Sequence, residues 1–308
     1  MTADKEIIGI DHGNRNIKSY RHIFAASVTS LPSRPDNLEN VLEFQERFYL
    51  IGGQNPIQET VDKTENMDYY LMTLAMLAKE LKSREKRQAA VCIGAALPPR
   101  RFGEQSKGFR EYLSQHPKLF FRYEGISYQA AVENVYVFMQ GHVVIHSIRE
   151  LCEGFCLLVD IGGGTVDLVG IEDGMPNGFY QIDSRATLYC IQKAAEEAVA
   201  RLGKSVPAYI IESFMRNGTY DCPEKYEILI KDSLAGYAKE IYTMISGHGY
   251  NEELTRMVFM GGGASIIKHF GNNENKRVQF IPDIRANAKG CEEAVKSILR
   301  AKGRRKPE

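Results

Sequence analysis

Leu157–Gly170 reads LLVDIGGGTVDLVG: an apolar run ending in Asp160, three consecutive glycines, Thr165, and a second run, Val166 to Val169, that carries Asp167. The period-two pattern on both sides of the glycines is that of two strands joined as a hairpin. Gly162, Gly163 and Gly164 permit positive φ and expose bare backbone amides, so a turn made from them can wrap closely round an anion. Asp160, at the strand end, then faces the cation that accompanies it. Together these residues predict a cradle for a phosphate–magnesium pair.

Glu6–Arg21, EIIGIDHGNRNIKSYR, repeats the grammar: an apolar strand, Asp11, a turn through Gly13 and Asn14, then Asn16 and a strand with Lys18. The two aspartates lie about 150 residues apart, one opening each half of the chain. A glycine turn on its own is a common packing device. Two strand–Asp–Gly–strand hairpins predict two related domains that grip one phosphate chain.

These residues resemble a family. Asp11 to Lys18 looks like the first phosphate motif of the actin and sugar-kinase superfamily, and Asp160 to Asp167 looks like the second. Met257–Ile267, MVFMGGGASII, is similar to its adenosine motif, and Val135–Val144, VYVFMQGHVV, to the segment connecting its two domains. Arg285–Gly290, RANAKG, is similar to a stretch near the end of ParM/StbA-type plasmid-segregation actins. The resemblance covers residues 6 to about 300 and implies an α/β chain with the actin-like ATPase fold, two RNase H-like domains flanking a nucleotide cleft. The expected division is 1–155 plus 284–308 for the first domain, with a small inserted subdomain at about 32–66, and 156–283 for the second.

The resemblance also implies roles. Asp11 and Asp160 hold magnesium through its waters, the amides of residues 13–16 (Gly13, Asn14 and Asn16 among them) and 162–165 bind phosphate oxygens, and Lys18 neutralises charge toward the β-phosphate. Gly261, Gly262, Gly263 and Ala264 leave space for the adenine, and Gln192 and Glu196 occupy a helix face that superfamily members often turn to the ribose. Gln140 stands where actins carry a glutamine and some segregation actins a glutamate. Glutamine is no strong base, so its expected part is to orient the attacking water, with Asp160 polarising it. The cofactors implied are ATP, or GTP in its place, and Mg2+. The partners implied are further copies of the chain in a filament and a DNA-binding adaptor of a plasmid partition system.

Composition fits this picture. The 308 residues exceed one ordinary core and suit two domains. Lys plus Arg and Asp plus Glu number 39 each, and a formal charge of zero argues against a chain that coats nucleic acid directly. No run approaches the ~18 apolar residues that span a bilayer, and the opening MTADKEIIGID passes from charged residues straight into a strand, the pattern of a cytoplasmic protein without a secretory leader. The cysteines at 92, 152, 156, 190, 222 and 291 have no metal-site spacing and are expected to be reduced.

Along the chain the patterns predict single strands at His22–Leu31 and Leu42–Ile51, a helix at Met67–Lys82, a buried strand at Ala89–Ala96, a short helix at Gly108–Gln115 and strands within Leu119–Val137. A helix is then expected from Gln140–Gly141 to about Glu150, another at Thr187–Leu202, a strand at Ser205–Glu212 and a long helix at Glu224–Ser246. Leu254–Met260 and Val278–Ile281 read as strands, Ala264–Phe270 and Ala288–Ala301 as helices, and the tail from Lys302 as a disordered basic segment. Other classes on the same scaffold are a sugar or acetate kinase, which needs a carboxylate for a substrate hydroxyl, a chaperone, which needs a further substrate-binding domain, and a cell-shape actin, which commonly bears a membrane-binding loop.

Overall fold

The computed structural model describes residues 5–53, 62–147, 154–271 and 274–304. The chain forms two compact units, residues 1–147 with 287–308, and residues 148–286.

The first unit is built on β1 (Lys5–His12), β2 (Asn16–Ser19), β3 (Ile23–Ala25), β4 (Val28–Leu31), β5 (Val41–Phe44), β6 (Arg47–Ile51), β7 (Gln88–Leu97), β8 (Lys118–Tyr123) and β9 (Ile126–Met139). They make one sheet in the order β3-β2-β1-β7-β9-β8-β5-β6-β4. β7, between the parallel neighbours β1 and β9, is buried from Ala89 onward, as its unbroken apolar run requires of a central strand. Helix α1 (Asp68–Ser83) buries Leu71, Leu74, Ala75, Ala78 and Leu81 at helical spacing against this sheet's core. Helix α2 (Pro99–Ser114) adds Phe109 and Leu113 to the same core.

The second unit carries β10 (Phe155–Ile161), β11 (Val166–Glu172), β12 (Met175–Asp183), β13 (Arg256–Met260) and β14 (Val278–Phe280), in the order β12-β11-β10-β13-β14. Its helices are α3 (Thr187–Leu202), α4 (Ala208–Asn217), α5 (Glu224–Gly247) and α6 (Ala264–Phe270). α3 ends at Gly203 in the left-handed region, φ +68°, where glycine carries no steric cost. Among the described residues no helix is long and apolar enough to cross a membrane.

Several local expectations change. Ser205–Glu212 is the start of α4 and not a strand. Pro207 occupies its N-cap, where a missing N–H costs nothing, and Ile211, Phe214 and Met215 bury one face at helical spacing. The expected strand at His22–Leu31 is two strands, β3 and β4, which pair at opposite edges of the sheet. Leu42–Ile51 is likewise a hairpin, turning at Gln45 and Glu46 with φ of +50° and +60°. α2 begins nine residues before Gly108, because Pro99 is pre-set for a first helical turn. After Gln140 the chain makes a 3-10 turn, His142–Ser147, in place of an α-helix. Residues 148–150 of that expected helix lie outside the described residues, as do Cys152 and the tail from residue 305, while Lys302 to Arg304 finish a helix. The remaining cysteines, at 92, 156, 190, 222 and 291, form no disulfide among the described residues.

The last helix, α7 (Ala286–Arg304), lies directly on strand backbone. A Cβ on Gly9 of β1 would stand 2.0 Å from the Ala288 carbonyl oxygen, and one on Gly94 of β7 would stand 2.8 Å from that of Cys291. Glu292 strengthens the contact. It lies 3.4 Å from the Gly9 amide, which donates to it, and 3.2 Å from Arg84, whose guanidinium also bridges Glu6 and Glu80. Gly9→Ala must push α7 off the sheet, so it is expected to cost at least about 2 kcal/mol. Gly103→Ala, inside α2 with open space around it, should instead stabilise by about 0.5–1 kcal/mol. Urea unfolding of both variants measures the contrast, and equal effects would refute the close approach.

Candidate phosphate-binding hairpins

β1 and β10 have equivalent settings. β1 lies between antiparallel β2 and parallel β7, and β10 between antiparallel β11 and parallel β13. Each ends beside a buried aspartate, Asp11 at 2% exposure and Asp160 at 8%. Each aspartate faces the residue seven positions on, Lys18 for Asp11 and Asp167 for Asp160.

In the first unit, Lys18 Nζ donates to Asp11 Oδ2 at 3.0 Å and Gln140 Nε2 donates to Oδ1 at 2.7 Å. Burial pushes the Asp11 carboxyl upward. The Lys18 ammonium and its hydrogen bond, with Lys63 and the Gln140 amide, outweigh that and hold it below its ordinary value. The turn is tight, since a Cβ on Gly13 would stand 2.7 Å from the Asn16 carbonyl oxygen. Asn14 Oδ1 accepts the Tyr69 hydroxyl at 3.2 Å, and Asn16 opens β2 opposite Ala25. His12 turns away into the core, with Nε2 2.9 Å from Thr73 Oγ1 and its ring edge-on to Phe109. Burial, then the charge of Lys63, pushes its pKa down to about 3, so it is neutral at physiological pH.

In the second unit the Gly162 amide donates to the Thr165 carbonyl at 2.9 Å. The carbonyls of Gly162 and Gly163 accept the amides of Thr187 and Leu188, which lashes the turn to the first residues of α3. The amides of Gly163 and Gly164 make no backbone hydrogen bond among the described residues. Contrary to expectation, neither Gly13 nor Gly162 to Gly164 uses positive φ. At Gly13 and Gly162 small size serves close approach; a Cβ on Gly162 would stand 3.1 Å from the Thr165 carbonyl oxygen.

The third glycine cluster meets the same strand end. Gly261, at φ +82°, has room for no Cβ, which would stand 2.4 Å from Asp160 Oδ1, and one on Gly263 would stand 2.2 Å from Ile161 Cγ2. Gly262 has open space around it. Ala264 is buried at the start of α6. Two of the three glycines are thus required by packing, and Gly262 alone leaves room for a flat group. Gln192 and Glu196 stand on the exposed face of α3 and bond one another at 2.8 Å.

Asp167 is the residue that motif reading left without a part. It is 6% exposed, Thr165 Oγ1 donates to its Oδ2 at 3.3 Å, and its Oδ1 is buried with no hydrogen-bond partner among the described residues. Burial first, and then the Asp160 charge across the ladder, push its pKa up to about 7. Two acids facing each other at low exposure favour a hard cation. Among the described residues no three His, Cys, Asp or Glu side chains group as a metal cage. The facing acids Asp160 and Asp167 and the glycine amides of the turn are a donor set that fits a magnesium–phosphate group. The equal seven-residue spacing of Asp11–Lys18 and Asp160–Asp167 was the available signal. Lys63 was also missed: it is buried on the His12 carbonyl, with Nζ 4.7 Å from the Tyr69 ring centroid, and no local pattern announces it.

The family described as actin like proteins, N terminal domain, matches residues 9–142, and the Alp7A C-terminal domain matches residues 156–280. No curated protein sequence matches significantly. Among solved structures, the apo pSK41 ParM protein is similar at a TM-score of 0.73 and 14% identity, over 97% of this chain and 99% of that one. The subunit of a 15-stranded ParM filament from Clostridium botulinum is similar at 0.73 and 18%, over 96% and 100%. Bacillus thuringiensis ParM with ATP is similar at 0.68 and 14%, over 95% and 98%. At such identities the structural likeness is one of fold.

An unfolded chain ionises the Asp167 carboxyl near 3.8 and the folded chain only near 7, so the folded state holds the extra proton in between. Stability from this group is therefore present at low pH, falls as pH rises from about 4 to 7, and is bounded by about 4 kcal/mol. Thermal unfolding in a chelator should show the wild type losing ground to Asp167→Asn between pH 5 and 8. Parallel curves for the two proteins would contradict the buried acid pair.

Proposed function

This chain belongs to the actin-like proteins, and we propose that it is an ATP-dependent filament subunit for plasmid DNA segregation, in which hydrolysis weakens the filament. The observation that supports this most is the duplicated hairpin, with a buried aspartate at the end of an equivalent strand in each unit. A triphosphate carries several negative charges and needs amides, a cation and a metal. Lys18 and the amides of the two turns meet the phosphate oxygens. Asp160 with Asp167, and Asp11, would hold Mg2+, which when bound would supply positive charge toward the phosphate oxygens.

Gln140 orients the attacking water and Asp160 polarises it. The Gln140 side-chain amide donates to Asp11 Oδ1 at 2.7 Å, which places it beside the proposed metal site. Gly262 lies against the base of ATP, the nucleotide present in the Bacillus thuringiensis relative, or of GTP in its place. Self-assembly is supported by relatives solved as filaments, the 15-stranded ParM and Alp12. Coupling requires that the filament contact favour one nucleotide state, which then gains population. A formal charge of zero favours an adaptor as the DNA-contacting partner, in the cytoplasm.

Light scattering and pelleting with ATP, GTP, ADP and no nucleotide, all in magnesium, test this. The expected result is a rise with ATP that decays as phosphate is released, and no rise with ADP. A chain that binds ATP yet never assembles at high concentration is not a filament subunit.

A further inference from the structure

The stretch Arg285–Gly290 stood out in the sequence without a chemical task. We propose that Asn287 is the positioning residue for Gln140, an inference that rests on Gln140 being the water-orienting group. Asn287, in the first turn of α7, is 5% exposed, and its Oδ1 accepts the Gly141 amide at 2.9 Å. Gly141 stands in the left-handed region at φ +75°, directly after Gln140. The amide of Gln140 itself donates to the Leu97 carbonyl at 2.8 Å, at the end of β7. The peptide before Gln140 is therefore held by a strand and the peptide after it by Asn287. With both fixed, the side chain projects to Asp11 Oδ1 at 2.7 Å.

The neighbours of Asn287 serve the same placement. Ala288 sets α7 against Gly9, two residues before Asp11 on β1. Gly290, one turn after Asn287, lets the helix lie on the 3-10 turn, since a Cβ there would stand 2.4 Å from the Val143 carbonyl oxygen. One short stretch thus touches both the strand that carries Asp11 and the chain that directly follows Gln140. A buried amide deprived of its acceptor must find another, and the turn at Gly141 shifts to do so.

The test is a double-mutant cycle on the full chain, with single-turnover phosphate release from Mg-ATP, nucleotide affinity and thermal unfolding measured for each protein. Asn287→Ala should slow release about tenfold, the kinetic equivalent of ~1.4 kcal/mol, with nucleotide affinity kept within about twofold. In a Gln140→Ala background the same change should slow release no further, because Asn287 acts only through Gln140. Asn287→Asp keeps an acceptor oxygen and should recover most of the rate. Full additivity of the two losses, a matching loss of nucleotide affinity, or a folded Asn287→Asp as slow as Asn287→Ala would each overturn the assignment. Unchanged release by Gln140→Ala alone is a separate result, which removes Gln140 from the chemistry and this inference with it.

Discussion

A buried carboxylate must be offset, and the two units do so differently at equivalent strand ends. Asp11 is offset from within the chain, by Lys18 across the ladder and by the Gln140 amide. Asp160 faces a second acid, and the cost appears in Asp167, whose pKa climbs to about 7 and whose Oδ1 has no hydrogen bond among the described residues. Such a pair costs stability in a dry environment unless a proton or a cation joins it. In the proposed site, Lys18 of the first hairpin meets the phosphate and the acid pair of the second joins Asp11 at the metal, although both hairpins share one strand grammar. The division of labour follows from one substitution at the seventh position.

Everything around these strand ends keeps them in place. α7 approaches β1 and β7 where Gly9 and Gly94 have no side chain, and Glu292 with Arg84 ties the helix to the far end of β1. The Thr187 and Leu188 amides hold the second turn, and Gly261 closes against Asp160. These are backbone approaches, which leave little freedom and so preorganise the sites. Removing the small residues would cost more than removing any one polar contact, because sheet and helix backbones cannot yield locally.

Much of this was legible in the sequence because strand alternation and glycine turns are local signals. The hairpins at Asp11 and Asp160, α3 with its Gly203 stop, and the long α5 all follow from short windows. α4 was hidden because Tyr209, Ile210 and Ile211 favour strands by type, and only the burial of Ile211, Phe214 and Met215 reveals the helical period. β3 and β4 read as one strand, since nothing local says that the chain will cross to the opposite sheet edge. The turn at Gln45 and Glu46 uses positive φ without the usual glycine or asparagine. Lys63 and Asn287 reach their partners across 51 and 146 residues, distances at which sequence pattern carries no information.

The central claim is that these hairpins are phosphate sites and not merely sheet turns. Calorimetric titration of Mg-ATP onto the chain tests it most directly, repeated with chelator and with Asp160→Ala. The account predicts saturable binding of one nucleotide per chain, weakened at least about tenfold by either change. No binding, or binding indifferent to both the metal and Asp160, would contradict it.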